Sequence, residues 1–173
     1  ETHDLFLGSM DGEFYRFGGL RFEPKPKQVP LPIHVGGGAP VALQRVAAFG
    51  QGWHALGKSP NDLARDLETL ARLMQSAGRD MGELHISIRC VVNFVDEPWD
   101  RPFGDRRTLK GTAEEIQGTL NAFAAAGVDE VVIDPGSADV QVNRDVMQRV
   151  MALEAEMEEA GAGDWVELFR LKS

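Results

Sequence analysis

The chain has 173 residues, of which 43% are hydrophobic and 26% charged, and its formal net charge is −9. That balance suits a soluble globular domain with a real core, and the acidic excess argues against nucleic acid as a partner. No apolar run approaches the roughly 20 residues of a membrane span, and a single cysteine, Cys90, excludes an internal disulfide framework and fits a reducing, cytoplasmic setting.

Residues 1–30 read as loop. Gly12, Gly18, Gly19, Pro24, Pro26 and Pro30 punctuate them, with a short strand expected at Glu13–Phe17. The prolines predict an extended path over Pro24–Pro30. The interleaved Phe6, Phe14, Tyr15, Phe17 and Phe22 need burial, so this segment is expected to lie packed on the body of one domain spanning 1–173. The chain opens on Glu1 with no secretory pattern, as a processed chain or a piece of a longer one would.

A regular rhythm follows. Pro32–Val35 reads as a short buried strand that ends at Gly36-Gly37-Gly38, and Pro40 suits the first position of a helix running to Phe49. Trp53–Leu56 is a second strand. Ser59-Pro60 opens the clearest helix, with Ser59 as N-cap and Leu63, Leu67, Leu70 and Met74 forming one apolar stripe.

A third strand is expected over His85–Phe94. Ile86, Ile88, Cys90, Val92 and Phe94 line one face, and His85, Ser87, Arg89, Val91 and Asn93 the other. Residues 96–110 read as a charged loop. Thr112 and Glu115 have capping-box spacing before a helix that Gly127 ends. Val128–Ile133 is the fourth strand. Val142, Val146, Val150, Leu153 and Met157 mark a last helix, whose glutamates 154, 156, 158 and 159 read as a solvated face. The tail 165–171 is a short strand or docking segment.

Four parallel strands alternating with helices make an α/β fold. Pattern alone leaves an open doubly wound sheet and half of a (β/α)8 barrel as alternatives. Both place ligands at the carboxyl ends of the strands, which singles out the glycine turn. Its bare backbone and the helix start at Pro40 suit a phosphate, although a tight turn that merely needs glycine would look the same.

The histidines lack the spacing of a metal site. His34 inside its strand reads as structural, whereas His54 and Asn93 stand nearer strand ends and are weak catalytic candidates. Arg89 belongs to the same polar face as Asn93. Asp134 before Pro135-Gly136 reads as turn chemistry, and Cys90 in its apolar run reads as a buried inert thiol.

The blocks Phe17–Pro26, Gln28–Gly38, Ala42–Ala48, Gly52–His54, Ala77–Asp80, Gly111–Glu115 and Ala126–Asp129, taken in order, resemble the luciferase-like monooxygenases, among them the F420-dependent oxidoreductases of actinobacteria and archaea. The resemblance implies the C-terminal half of a (β/α)8 TIM-type barrel. It also implies an oxidoreductase using FMN with oxygen, or coenzyme F420 as a hydride carrier, on a small organic substrate. It places Gly36, Gly37, Gly38 and Ala39 beside the cofactor's phosphate or ribityl chain. Alanine at 39, where relatives often have glycine, keeps the amide but narrows the approach. Strand edges left open by a half barrel imply a homo-oligomer or a complementing half-barrel chain. The alternative is a non-catalytic half-barrel remnant that binds or assembles.

Overall fold

The computed structural model describes residues 27–97 and 107–159. The expected strand at 13–17, the tail at 165–171 and the packing of the N-terminal segment lie outside the described residues. The chain divides into two units, with the boundary between Ile33 and His34. In the first, residues 27–30 bend rather than run extended.

In the second unit the order is β1 (His34–Gly36), α1 (Pro40–Phe49), β2 (Gly52–Leu56), α2 (Pro60–Ser76), β3 (His85–Phe94), β4 (Arg107–Gly111), α3 (Ala113–Ala125), β5 (Glu130–Asp134) and α4 (Val140–Glu159). Each helix starts where local chemistry allows. Ser59 Oγ accepts from the Asp62 amide at 3.2 Å. Thr112 and Glu115 form the reciprocal box, with Thr112 N donating to Glu115 Oε2 at 2.8 Å and Glu115 N to Thr112 Oγ1 at 3.3 Å. Helix α1 has no side-chain cap; Pro40, which lacks an N–H, follows Ala39.

All strand pairs are parallel. β1 pairs with β2, β2 with β3, and β3 with both β4 and β5. The expectation of four strands is therefore corrected to five among the described residues. β4 lies at the end of what reads in sequence as a charged loop. Its Arg-Thr-Leu-Lys-Gly carries one fully buried apolar side chain, Leu109, so its pattern is too weak to see. What makes it a strand is the length of β3. Residues Ser87–Val91 hold β5, and Val91–Phe94 extend beyond it to take β4, with a register shift between Val91 and Val92.

Side chains alternate across a strand, and the two faces of this sheet differ sharply. Trp53, Ala55, Ile86, Ile88, Cys90 and Val131 are buried in one core with Leu43 and Val46 of α1, Leu63, Leu67, Leu70 and Met74 of α2, Ile116 and Phe123 of α3, and Val146 and Val150 of α4. On the other face stand His34, His54, Leu56, His85, Arg89, Glu130, Val132 and Asp134, all exposed or half-buried. All four α-helices among the described residues thus cover one face. An open doubly wound sheet carries helices on both, so the one-sided arrangement is that of a barrel wall whose sheet is not closed.

Candidate functional site

The glycine turn joins the carboxyl end of β1 to α1, and two bonds from β2 hold it. The Gly37 amide donates to the His54 carbonyl at 3.1 Å. The indole of Trp53, fully buried, donates to the Gly37 carbonyl at 2.7 Å. The three glycines have different reasons to be glycine. Gly37 has φ +100°, a region that side chains rarely adopt. At Gly38 a Cβ would lie 2.6 Å from Cε and 2.8 Å from Nζ of Lys58, whereas at Gly36 it would meet nothing within 4 Å.

Ala42 and Leu43 at the start of α1 donate to the Ala39 carbonyl. Pro40 has no N–H to offer. The amides of Gly38, Ala39 and Val41 donate to no group among the described residues. Unpaired N–H groups at a helix start, with the positive end of the helix dipole behind them, suit an anion. Ala39 keeps its amide in this set.

The polar sheet face runs on from the turn. Gly36, His54, Ser87 and Glu130 are successive register partners across β1, β2, β3 and β5. His54 Nδ1 lies 2.8 Å from Ser87 Oγ. The Ser87 hydroxyl also reaches the Trp53 carbonyl at 3.5 Å. With its proton directed there, it accepts from Nδ1–H and leaves Nε2 as the basic nitrogen of a neutral ring. Burial holds the His54 pKa below the usual histidine value; Glu130 partly offsets this, and His34 and Arg89 reinforce it. His85 Nε2 bonds Glu130 Oε2 at 2.9 Å, and the His34 and His85 rings are 5.4 Å apart.

The two catalytic candidates are not brought together. Asn93 is buried and donates to the Glu97 carbonyl at 3.4 Å, in the turn that ends β3. It is six residues along β3 from the serine that holds His54, or about 20 Å at strand rise. Arg89 and Asp134 form an ion pair, and Asp134 also accepts from the Gly136 amide at 2.7 Å, as a turn aspartate does. Burial pushes the Cys90 thiol up to about 12, which makes it inert. Among the described residues no group of three or more His, Cys, Asp or Glu could hold a metal, and no helix is long and apolar enough to cross a membrane.

Lys58, Ser87, His85 and Glu130 join the site without having stood out in sequence. Lys58 carried a usable signal, since it follows the carboxyl end of β2, next in the sheet to the glycine turn. His85 and Ser87 were legible only as members of the third strand's polar face, and Glu130 becomes visible only with the strand register.

The profile of the luciferase-like monooxygenases matches residues 6–100. The chain belongs to this family. It is 41% identical over 86 residues to uncharacterized proteins of Mycobacterium tuberculosis and Mycobacterium bovis, a match covering 49% of this chain and 28% of theirs. Among solved structures, an F420-dependent secondary alcohol dehydrogenase in complex with an F420-acetone adduct superposes with a TM-score of 0.60 at 14% identity, over 82% of this chain and 54% of that one. An EDTA monooxygenase from Chelativorans sp. BNC1 gives a TM-score of 0.56 at 14% identity, over 84% and 49%. The chain thus spans about half the length of these structures. At this identity the likeness is one of fold, the luciferase-like α/β barrel wall.

Proposed function

We propose that this chain is the cofactor-phosphate side of a luciferase-like oxidoreductase that uses F420 or FMN on a small organic substrate. The observation that carries this reading is the set of unpaired amides at Gly38, Ala39 and Val41, on a turn braced by Trp53 at the carboxyl end of a barrel-type sheet. These residues fit a phosphate because they offer N–H donors at a helix start that bond no group among the described residues. A bound F420 or FMN would supply the hydride chemistry, or with oxygen the monooxygenation. Gly36–Ala39 would bind and orient its phosphate end. His54, neutral and half-buried beside Gly36, would hold or accept a proton at Nε2.

Family membership and the F420-dependent and monooxygenase neighbours support the chemistry. The open polar face supports a second element. We expect another copy of this chain, or a complementing half barrel, to cover Leu56, Arg89 and Val132, all exposed. The reducing setting that a lone buried thiol suits makes the cytoplasm the expected compartment.

The test is direct. Purified chain is mixed with FMN or F420 at high micromolar concentration, excess is removed, and the visible spectrum is recorded. Retained chromophore with one of them is expected. Gly36→Asp, which has room for its side chain, should weaken retention by placing a carboxylate beside the phosphate. Retention of neither chromophore would favour the alternative, a non-catalytic binding or assembly module.

A further inference from the structure

The glycine turn has a charged neighbour from the adjacent strand's end. Lys58 follows β2 and precedes the Ser59 cap of α2. Its ammonium lies 2.7 Å from Asp66 Oδ2, and the two side chains are about a quarter exposed, at 23% and 25%. It also sits where a Gly38 side chain would begin, since a Cβ there would come within 2.8 Å of Nζ. The ammonium therefore rests against the backbone whose amides are unpaired.

That position is electrostatically unusual. Cations are favoured at the carboxyl end of a helix and disfavoured at the amino end. Lys58 is held beside the start of α1, where the free N–H groups already carry positive character. Asp66 is the carboxylate that balances it. Two kinds of positive group, side-chain and backbone, thus meet at the turn, with Asp66 bonded to the ammonium and Asp62 also feeling its charge. An anion entering the turn would meet both at once. Side-chain ammonium to phosphate is also a charge-assisted contact, stronger than a neutral one.

We infer that Lys58 is an anion-recognition residue: it contacts the cofactor phosphate, Asp66 holds it against Gly38 until the phosphate arrives, and Gly38 is glycine to leave it room. This rests on the cofactor reading above and adds a specificity to it. The site should distinguish a phosphorylated flavin or deazaflavin from the same ring system without phosphate. A purely structural pair, tying the β2–α2 loop to α2, would make no such distinction.

The experiment compares two probe pairs on the intact chain: FMN against riboflavin, and F420 against the deazaflavin riboside that lacks its phosphate. Affinity is read by fluorescence titration and equilibrium dialysis. The wild type is expected to prefer the phosphorylated member of one pair by tenfold or more. Lys58→Met should lower that affinity about tenfold and leave the unphosphorylated member unchanged. Lys58→Arg should restore part of the preference. Loss of a partly exposed ion pair costs little stability, and thermal melting checks that Lys58→Met is folded. Gly38→Ala gives an independent route, because its Cβ displaces only the flexible end of Lys58, and the same selective loss is expected. If Lys58→Met weakens both members equally, or neither, the inference is overturned while the cofactor reading stands. If the wild type binds neither pair, the cofactor reading fails and takes this inference with it.

Discussion

Arg79 offers the sharpest test of how the site's scaffold is held. Its guanidinium reaches part-buried carbonyls at the end of α1, with Nη1 to Val46 O at 3.1 Å and Ala47 O at 3.2 Å, and Nη2 to Gly50 O at 2.8 Å. Nε bonds Glu83 Oε2 at 3.0 Å. α1 has no side-chain cap at its start, and its last turn contains no basic residue of its own. Arg79 thus supplies from outside what the helix lacks, and does so for the element that follows the glycine turn. Replacing it with Met keeps much of the apolar stem and removes all three carbonyl contacts. Each is worth roughly 1 kcal/mol net, more when the donor is charged. Water can recover part of this at a helix end, so the expected loss is about 2–3 kcal/mol. For a chain of this size that lowers the melting temperature by roughly 5–10 °C. Arg79→Lys should lose about as much, because one ammonium cannot span three carbonyls in the geometry of a planar fork. The assay is urea unfolding followed by far-ultraviolet circular dichroism, with an unchanged m-value. Arg72→Met, whose contact to Thr69 is local and exposed, is the control and should cost under about 0.5 kcal/mol. A loss below about 0.5 kcal/mol in Arg79→Met would show that solvent satisfies these carbonyls equally well and would refute the bracing argument.

Other outcomes follow from the same geometry. Trp53→Phe leaves the Gly37 carbonyl without its 2.7 Å donor and a void in the core. It should cost about 2–4 kcal/mol and speed amide exchange in the turn, and unchanged exchange would detach Trp53 from the site. Cys90, with its thiol raised to about 12, should resist a thiol reagent at pH 8 in the native protein and react fully in denaturant; stoichiometric native labelling would contradict its burial. The folded-state pKa of His54 is below its unfolded value, so the unfolded chain binds the extra proton. His54 should therefore erode stability as pH falls through about 6.5 and below, where a free histidine protonates. Urea midpoints at pH 8 and pH 5.5 should lie closer together in His54→Gln than in the wild type. An equal or wider gap in the variant would count against a depressed pKa, with the His85–Glu130 pair unchanged in both proteins.

Much of this protein is written locally. The α2 stripe, the Ser59 and Thr112 caps and the ten residues of β3 follow from spacing and propensity, and the structure has them where the pattern puts them. The glycine turn is equally local, since Gly37 needs its backbone conformation whatever surrounds it. The family was also legible, because its ordered blocks are short-range motifs. What needed the tertiary structure was everything set by register. β4 exists because β3 outruns β5, which no window of sequence encodes. The one-sided helix layer, which separates a barrel wall from a doubly wound sheet, is a property of crossovers rather than residues. His54 meets Ser87 across 33 positions, and Lys58 meets Gly38 only because neighbouring parallel strands end side by side. Sequence determined which segments form elements and which family they belong to. Strand pairing decided which of their polar side chains share one face, because contacts between strands are fixed by long-range alignment and leave no local periodic trace.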